Sequence, residues 1–482
     1  MGQVLSERID HVLGLNPAAS AIQFEGEWFT WGQVATSARQ IAAVSGRGRV
    51  GIMLRNEPAH VAALLGVLAA GGTVVVINPS RGDDRTRADI EALQLPVIIG
   101  LDADLAALMP PSSTASRVAI RDLDTAPEVT PGTASDDPGR PGVAVWMLTS
   151  GTTGPPKRVD LTYDMLARSV IGTDPETSSA PAELRQGVAI VNSPLVHIGG
   201  VFRVLLCIAE ARPFVLLRRF ELDRWAAAVR EHRPRAVSLV PAALRMVLHS
   251  ELTRADLASI RAVTSGTAPL SADDADAFTA KFGIPVLTSY AATEFGGGVA
   301  GWTLADHQKH WRDKRGSVGR ANPGARLRIV DQNGNPQDTG QQGLLEVIPA
   351  QMDSTSGWMR TTDLARIDAD GFVWIVGRAD QAIIRGGFKV MPDDVRAALE
   401  SHPAVQGAAV VGLPDPRLGE TPVALVELRA GSTADREELL AFLQKRLARY
   451  EIPTEIAITE AIPRTPSGKP DLQAVRTHFA QV

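Results

Sequence analysis

Apolar and polar positions in the first hundred residues switch repeatedly between two periods. Residues 30–45 carry apolar side chains every three to four positions, which predicts an amphipathic helix closed by Gly46. Residues 49–53 predict a short strand, 60–70 an Ala/Leu-rich helix ended by Gly71-Gly72, and 73–77 a β-branched strand ended by Asn78-Pro79. This alternation predicts parallel βαβ units, hence an α/β protein. Residues 109–142, rich in Pro, Ser, Thr and Gly, read as a loose connection, and 173–182 as another loop. The apolar run Val143-Ala144-Val145-Trp146-Met147-Leu148 reads as a buried strand, and the βα alternation resumes over 188–282. Further strands are expected at 283–287 and 344–348. Near residue 378 the pattern changes: a strand at 374–376, a turn at Arg385-Gly386-Gly387, a helix at 392–401, strands at 407–411 and 422–428, a helix at 436–450 and a polar tail. About a hundred residues suffice for a small α+β domain.

Composition narrows the function classes. A chain of 482 residues exceeds one compact core, so two or more domains are expected. Lysine and arginine number 49 against 54 acids, a balance of −5 that gives no electrostatic reason to expect nucleic acid. Cys207 is the one cysteine, so neither an intramolecular disulfide nor a thiolate metal cluster is available, and its apolar surroundings make it a core thiol. Glu7, Arg8, Asp10 and His11 near the start do not read as a signal peptide, and no run offers the roughly 20 apolar residues of a membrane span. A cytoplasmic enzyme, monomer or homodimer, is the expectation.

Candidate chemistry concentrates in a few segments. Thr149-Ser150-Gly151-Thr152-Thr153-Gly154-Pro155-Pro156-Lys157 crowds hydroxyls, glycines and a lysine into one turn, which suits a polyphosphate. Its spacing is not that of a Walker loop. In Ser289-Tyr290-Ala291-Ala292-Thr293-Glu294 an aromatic ring can stack on a purine, a threonine can bond a phosphate and a carboxylate can hold Mg²⁺ beside it. Pro194-Leu195-Val196-His197-Ile198-Gly199-Gly200 places a histidine before a glycine pair that opens a helix. Gly296-Gly297-Gly298 reads as free backbone or room for something bulky. Asp368-Ala369-Asp370-Gly371-Phe372 is a hairpin turn signal.

Together these motifs resemble the adenylate-forming superfamily of acyl-CoA synthetases, peptide-synthetase adenylation domains and firefly luciferase. The matches run in family order from residue 149 to 469. The resemblance implies a large N-terminal domain of layered α/β sheets (1–377), a hinge (378–381) at Asp380, and a mobile α+β C-terminal domain (382–482). It implies ATP, Mg²⁺ and coenzyme A. Thr149, Ser150, Gly151, Thr152, Thr153, Gly154 and Lys157 match the family's phosphate loop. Gly266, Thr267 and Ala268 match the adenine wall, Tyr290, Ala291 and Thr293 the nucleotide motif, and Glu294 the magnesium carboxylate. Asp363 matches the ribose acceptor and Arg378 the arginine on ribose or phosphate. His197, Gly199, Gly296 and Gly297 match the acyl pocket, with His197 in a gating or positioning role. Gly386, Gly387 and Lys389 match the loop that meets the pantetheine arm. Lys469, in Pro463-Arg464-Thr465-Pro466-Ser467-Gly468-Lys469, matches the catalytic lysine. Four departures stand out: Arg158 and Thr362 where glycine is usual, Ala291 for the motif's glycine, and Pro470-Asp471 after the lysine.

The implied reaction is ATP-dependent formation of an acyl-adenylate and then a CoA thioester. An acyl-AMP ligase or an adenylation domain that passes the acyl group to a carrier protein is the alternative. The apolar segments 198–208 and 242–248, with the glycine run beside them, favour a hydrophobic acid, medium- to long-chain or bulky and cyclic. Two arginines, Arg203 and Arg245, interrupt the apolar segments 198–208 and 242–248. An arginine inside the pocket favours a diacid; one on an outer face has no such meaning.

Overall fold

The computed structural model describes residues 3–134, 137, 139–149, 157–352, 356–386, 388–465 and 468–480. Its N-terminal part is built on a seven-stranded sheet whose spatial order is Glu128–Thr130, Ser116–Ala119, Val97–Gly100, Arg49–Met53, Thr73–Ile77, Val143–Thr149 and Lys157–Thr162. The inner strands are parallel and the two edge strands antiparallel. Continuous apolar runs such as Thr73–Ile77, buried at every position, are what a parallel sheet covered on both faces requires. The helix Pro58–Ala69 is buried from Pro58 through Leu68, as expected of a helix apolar all round. The helix Trp31–Ser45 packs on it, starting at a Thr30–Gln33 capping box and closing at Gly46.

A second sheet runs Ala236–Ser238, Ala262–Ser265, Val286–Ala292, Gly297–Gly301 and Arg320–Ala321, with the first three parallel. A third sheet, Ala189–Val191, Phe214–Leu216, Ser20–Phe24 and Glu27–Thr30, joins the chain's start to its middle. A four-stranded antiparallel sheet, Arg326–Val330, Gln342–Ile348, Met359–Ile367 and Val373–Arg378, ends this part. The expected hairpin at 368–372 joins its last two strands, with Gly371 at φ +81°. The smaller C-terminal part packs Ile383–Arg385, Phe388–Val390, Val405–Asp415, Gly419–Leu428 and Glu455–Thr459 into one sheet. Its buried clusters draw on residues from Ile383 onward, whereas the preceding clusters end at Ile375. The structure is thus layered α/β, with a large N-terminal and a smaller C-terminal domain.

Four expectations need correction. The connection 109–142 contains two short strands, Ser116–Ala119 and Glu128–Thr130. The strand expected at 283–287 is Val286–Ala292, so Tyr290 and Ala291 lie on a strand, with an irregularity in register between them. The helix expected to reach residue 450 is Arg436–Gln444. The Glu451 carboxylate takes the Ala448 N–H, at 2.8 Å, away from a continuing helix, and Pro453 follows. The polar tail holds both the strand Glu455–Thr459 and the helix Leu472–Ala480.

Candidate active site

The strand pair Met359–Ile367 and Val373–Arg378 places Asp363 directly opposite Arg378. The Tyr290 hydroxyl, arriving from the second sheet, donates to Asp363 Oδ2. Arg378 lies 4.0 Å from Asp363 Oδ1 and binds Asp380 through both arms of its guanidinium, at 2.9 and 2.7 Å. Burial pushes the Asp363 carboxyl up, against the pull of the Tyr290 hydroxyl, Arg378 and Lys469. Burial and the Asp363 charge also push the Tyr290 phenol up, so it stays a donor. Thr362 accepts from Arg378 Nη2 at 2.7 Å. That bond accounts for threonine in place of the family glycine, since it fixes the arginine beside the carboxylate. Thr361, which the motif reading passed over, supports the turn: its hydroxyl binds the Leu345 carbonyl at 2.8 Å and receives the Asp363 N–H at 3.0 Å.

Lys469 comes to this cluster from the C-terminal domain. Burial and Arg378 pull its pKa down, while Asp363 and Glu294 push it up, so three candidate site residues share its field. Its loop is held by Thr465 N–H to the Lys469 carbonyl at 2.7 Å and by Gly468 N–H to Thr465 at 2.8 Å, with Gly468 at φ +80°. The unusual Pro470-Asp471 has a local purpose. Asp471 Oδ1 receives the N–H groups of Gln473 and Ala474, each at 3.1 Å, capping the helix Leu472–Ala480.

Glu294 sits exposed on the short turn Thr293–Phe295. Gly266 allows a close approach: a Cβ there would lie 2.8 Å from Ser289 Oγ. Thr267 follows at φ +71°, where the chain leaves the strand Ala262–Ser265. Ala291 is exposed, so its methyl displaces nothing. Ser150, Gly151, Thr152, Thr153, Gly154 and Gly387 lie outside the described residues, as do the side chains of Thr149 and Lys389. The strands on either side of the candidate phosphate loop are paired up to Thr149 opposite Lys157. Arg158 accounts for its own departure. Its side chain, 8% exposed, bonds Asp89 at 2.6 Å and the Val76 carbonyl at 3.0 Å, and so anchors the strand leaving the loop.

His197 takes the N-cap position of the helix Ile198–Ala209. A side chain on Gly200 would lie 2.2 Å from the Pro194 carbonyl, so this tight entry needs glycine. Asn56 braces the same entry from far away in the chain, bonding Ser193 and Leu217 carbonyls at 3.0 Å and the Leu195 N–H at 2.8 Å. Nothing in the sequence marks it. The glycine run is not open space on its Cβ side. Gly296 faces Met165 at 2.8 Å, Gly297 faces Gln351 and Ser169 at 3.0 and 3.1 Å, and Gly298 faces Asn322 at 3.4 Å. Those glycines permit close packing and add no pocket depth there, contrary to the expectation of a wide pocket.

One ion pair across the domains, braced by a neighbour on each side, helps hold the C-terminal domain in this pose. Arg245 bonds Asp274 at 2.7 Å within the N-terminal domain and Glu400 at 2.8 Å across to the other, and Arg396 shares Glu400 at 2.8 Å. Gly386 meanwhile stays exposed on a hairpin with Phe388 and Ile384. Arg245 is thereby spoken for by acids of this chain. Replacing Glu400 with Gln leaves two enclosed guanidiniums facing each other. The step that needs this pose should slow about tenfold, with the other half-reaction little changed, as rapid-quench rates of each would show.

A family model described as AMP-binding enzyme matches residues 10–352, and one described as AMP-binding enzyme C-terminal domain matches residues 394–469. A feruloyl-CoA synthase from Amycolatopsis sp is 30% identical over 490 residues, covering 96% of this chain and 97% of that one. A sulfoacetate–CoA ligase from Cupriavidus necator is 31% identical, covering 92% and 91%. ATP-bound MatB from Rhodopseudomonas palustris superposes with a TM-score of 0.83 at 24% identity over 99% of both chains, a likeness of fold.

Proposed function

Because the chain belongs to the AMP-binding enzyme family and is an AMP-forming acid–thiol ligase, we propose that the Asp363–Tyr290–Lys469 cluster is where it joins a carboxylic acid to AMP and then to CoA. ATP and CoA are the cosubstrates, and Mg²⁺ is the usual ion. A carboxylate oxygen attacks the α-phosphorus of ATP, and the bond to the bridging oxygen breaks to release pyrophosphate. The CoA thiol then attacks the acyl carbon, loses its proton to solvent, and AMP leaves. The acid needs no general base, since it is ionised at neutral pH. One observation carries the reading: Asp363, paired opposite Arg378 and bonded by the Tyr290 hydroxyl, shares its charged surroundings with Lys469 from the second domain.

The residue roles follow from that juxtaposition. Asp363 accepts the ribose hydroxyls, and Tyr290 stacks on the adenine beside the wall of Gly266, Thr267 and Ala268. Thr293 bonds phosphate. Glu294 is an exposed oxygen donor with no ion-pair partner among the described residues, which fits a Mg²⁺ brought in on phosphates; the ion would neutralise charge on the leaving pyrophosphate. Lys469 neutralises charge building between the carboxylate and the α-phosphate. Rotation about Asp380, within 378–381, withdraws Lys469 and brings Gly386, Gly387 and Lys389 to the adenylate. Gly377 at φ +149°, with Met391 2.7 Å from where its Cβ would be, gives that joint a backbone few residues but glycine adopt.

His197 and Gly199 open the acyl side. Ile198, Phe202 and Leu206 form a partly exposed apolar stripe there, which supports an acid with an apolar body. The glycine run lends no support to great length or bulk. The relatives' named acyl groups, feruloyl and sulfoacetate, differ widely, so kinship leaves the acid open. Acid-dependent ATP–pyrophosphate exchange over a panel of acids, then mass spectrometry with CoA, tests the reading. Exchange plus a thioester is expected; thioester formation with ADP as product would refute it.

A further inference from the structure

The sequence leaves two arginines in apolar helices, and the structure separates them. Arg245 is bound to Asp274 and Glu400. Arg203 has no acidic partner among the described residues. Its guanidinium meets one polar group among the described residues, the Thr264 hydroxyl at 3.2 Å, and lies 5.9 Å from the centre of the Phe202 ring, a contact that carries no counter-charge. Arginines enclosed elsewhere in the fold show how such a charge is satisfied. Arg158 holds Asp89, Arg396 holds Asp393 and Glu400, and Arg8 bonds the carbonyls of Ala209, Ser178 and Ser179. The titratable group that bears on Arg203 is Cys207, whose thiol burial pushes up to about 12, so it is neutral.

Position makes this bare charge meaningful. On the helix Ile198–Ala209 the residues Gly200, Val201, Val204, Leu205 and Cys207 through Ala209 are buried in the core. Ile198, Gly199, Phe202, Arg203 and Leu206 keep partial access on the opposite stripe. Arg203 is four residues beyond Gly199, so the two lie on one face a single turn apart. Thr264, whose hydroxyl it reaches, lies on the strand Ala262–Ser265 two residues before Gly266, which in turn abuts Ser289. The guanidinium therefore stands between the acyl-side helix and the adenine wall. An enclosed cation without a counter-charge is costly, and an anion that completes its fork offsets that cost.

We propose that Arg203 binds a second anionic group of the acid, a carboxylate or sulfonate at the end away from the carboxylate that is activated. The substrate is then a two-ended acid whose apolar middle lies along Phe202 and Leu206. This rests on the ligase reading given above.

The test compares each linear monoacid with the diacid of equal chain length in ATP–pyrophosphate exchange, for the wild type, Arg203→Met and Arg203→Lys. The wild type should favour the best diacid over its monoacid by about 100-fold in kcat/KM. Arg203→Met should lower the diacid by about that factor, through KM, and raise the monoacid, reversing the preference. Arg203→Lys should keep the preference in weakened form. A wild type that favours monoacids, with diacid rates unmoved by Arg203→Met, would overturn the assignment and leave the ligase reading standing. Equal loss of both acid types in both variants, with the ATP-induced melting shift intact, would assign Arg203 to structure and also overturn it. No exchange with any acid in the wild type would bring down the ligase reading itself.

Discussion

Replacing Lys469 with Ala should lower acyl-adenylate formation about 10³-fold while CoA still converts supplied acyl-AMP at close to the wild-type rate. The asymmetry is the point. Lys469 reaches the cluster of Asp363, Arg378 and Glu294 in the pose held by the Arg245–Glu400 pair. A charge that assists only in that pose affects only the step performed there. The same residue sets an alkaline limit. Burial and Arg378 pull its pKa below the ordinary lysine value, so only at pH values between the two does closing around it shed a proton. The closed pose then gains stability as pH rises from the lowered pKa toward the ordinary one. The charge the step requires disappears over the same interval. Acid-dependent kcat/KM should therefore fall at a lower pH than an exposed lysine would give, while thioester formation from supplied acyl-AMP should lack that limb. Rapid-quench rates of each half-reaction against pH would show it. Loss of both steps in Lys469→Ala would contradict the assignment.

Replacing Asp363 with Ala should lower kcat/KM for ATP by about 100- to 1,000-fold, because two hydrogen bonds to a charged acceptor go together. Truncation also leaves the enclosed Tyr290 hydroxyl without its carboxylate, so part of the loss is structural. A nucleotide cycle separates the two. Wild-type enzyme should lose a similar factor with 2′,3′-dideoxy-ATP, and the variant should lose little more on that substrate. Independent, additive losses would mean that Asp363 does not touch the ribose.

Much of this was legible in the residues. Strands such as Arg49–Met53 and Thr73–Ile77 match the apolar pattern to the residue, because a run buried on both faces has sharp polar ends. The helix Trp31–Ser45 was equally plain, since Thr30 and Gly46 supply both caps. Tyr290, Asp363, Arg378 and Lys469 converge even though 179 positions separate the first from the last, and local pattern alone would not join them. The departures were visible but not their reasons. Arg158 needs Asp89, Thr362 needs Arg378, and Asp471 needs the helix that follows; the first of these partners lies 69 residues away. Asn56 was silent because its partners lie 137 to 161 residues on. The glycine run is ambiguous for a related cause. Glycine marks close approach and open space alike, and only Met165, Ser169, Gln351 and Asn322 tell which applies. In the tail, Val475 and Phe479, four apart, mark the buried face of its helix within an otherwise polar stretch.

The most direct measurement follows oxygen from a carboxylate labelled with ¹⁸O through one turnover with ATP and CoA. Attack on the α-phosphorus leaves one labelled oxygen in AMP and one in the thioester, with none in pyrophosphate. Label in inorganic phosphate or pyrophosphate, or ADP in place of AMP, would show that the acid is not activated as its adenylate.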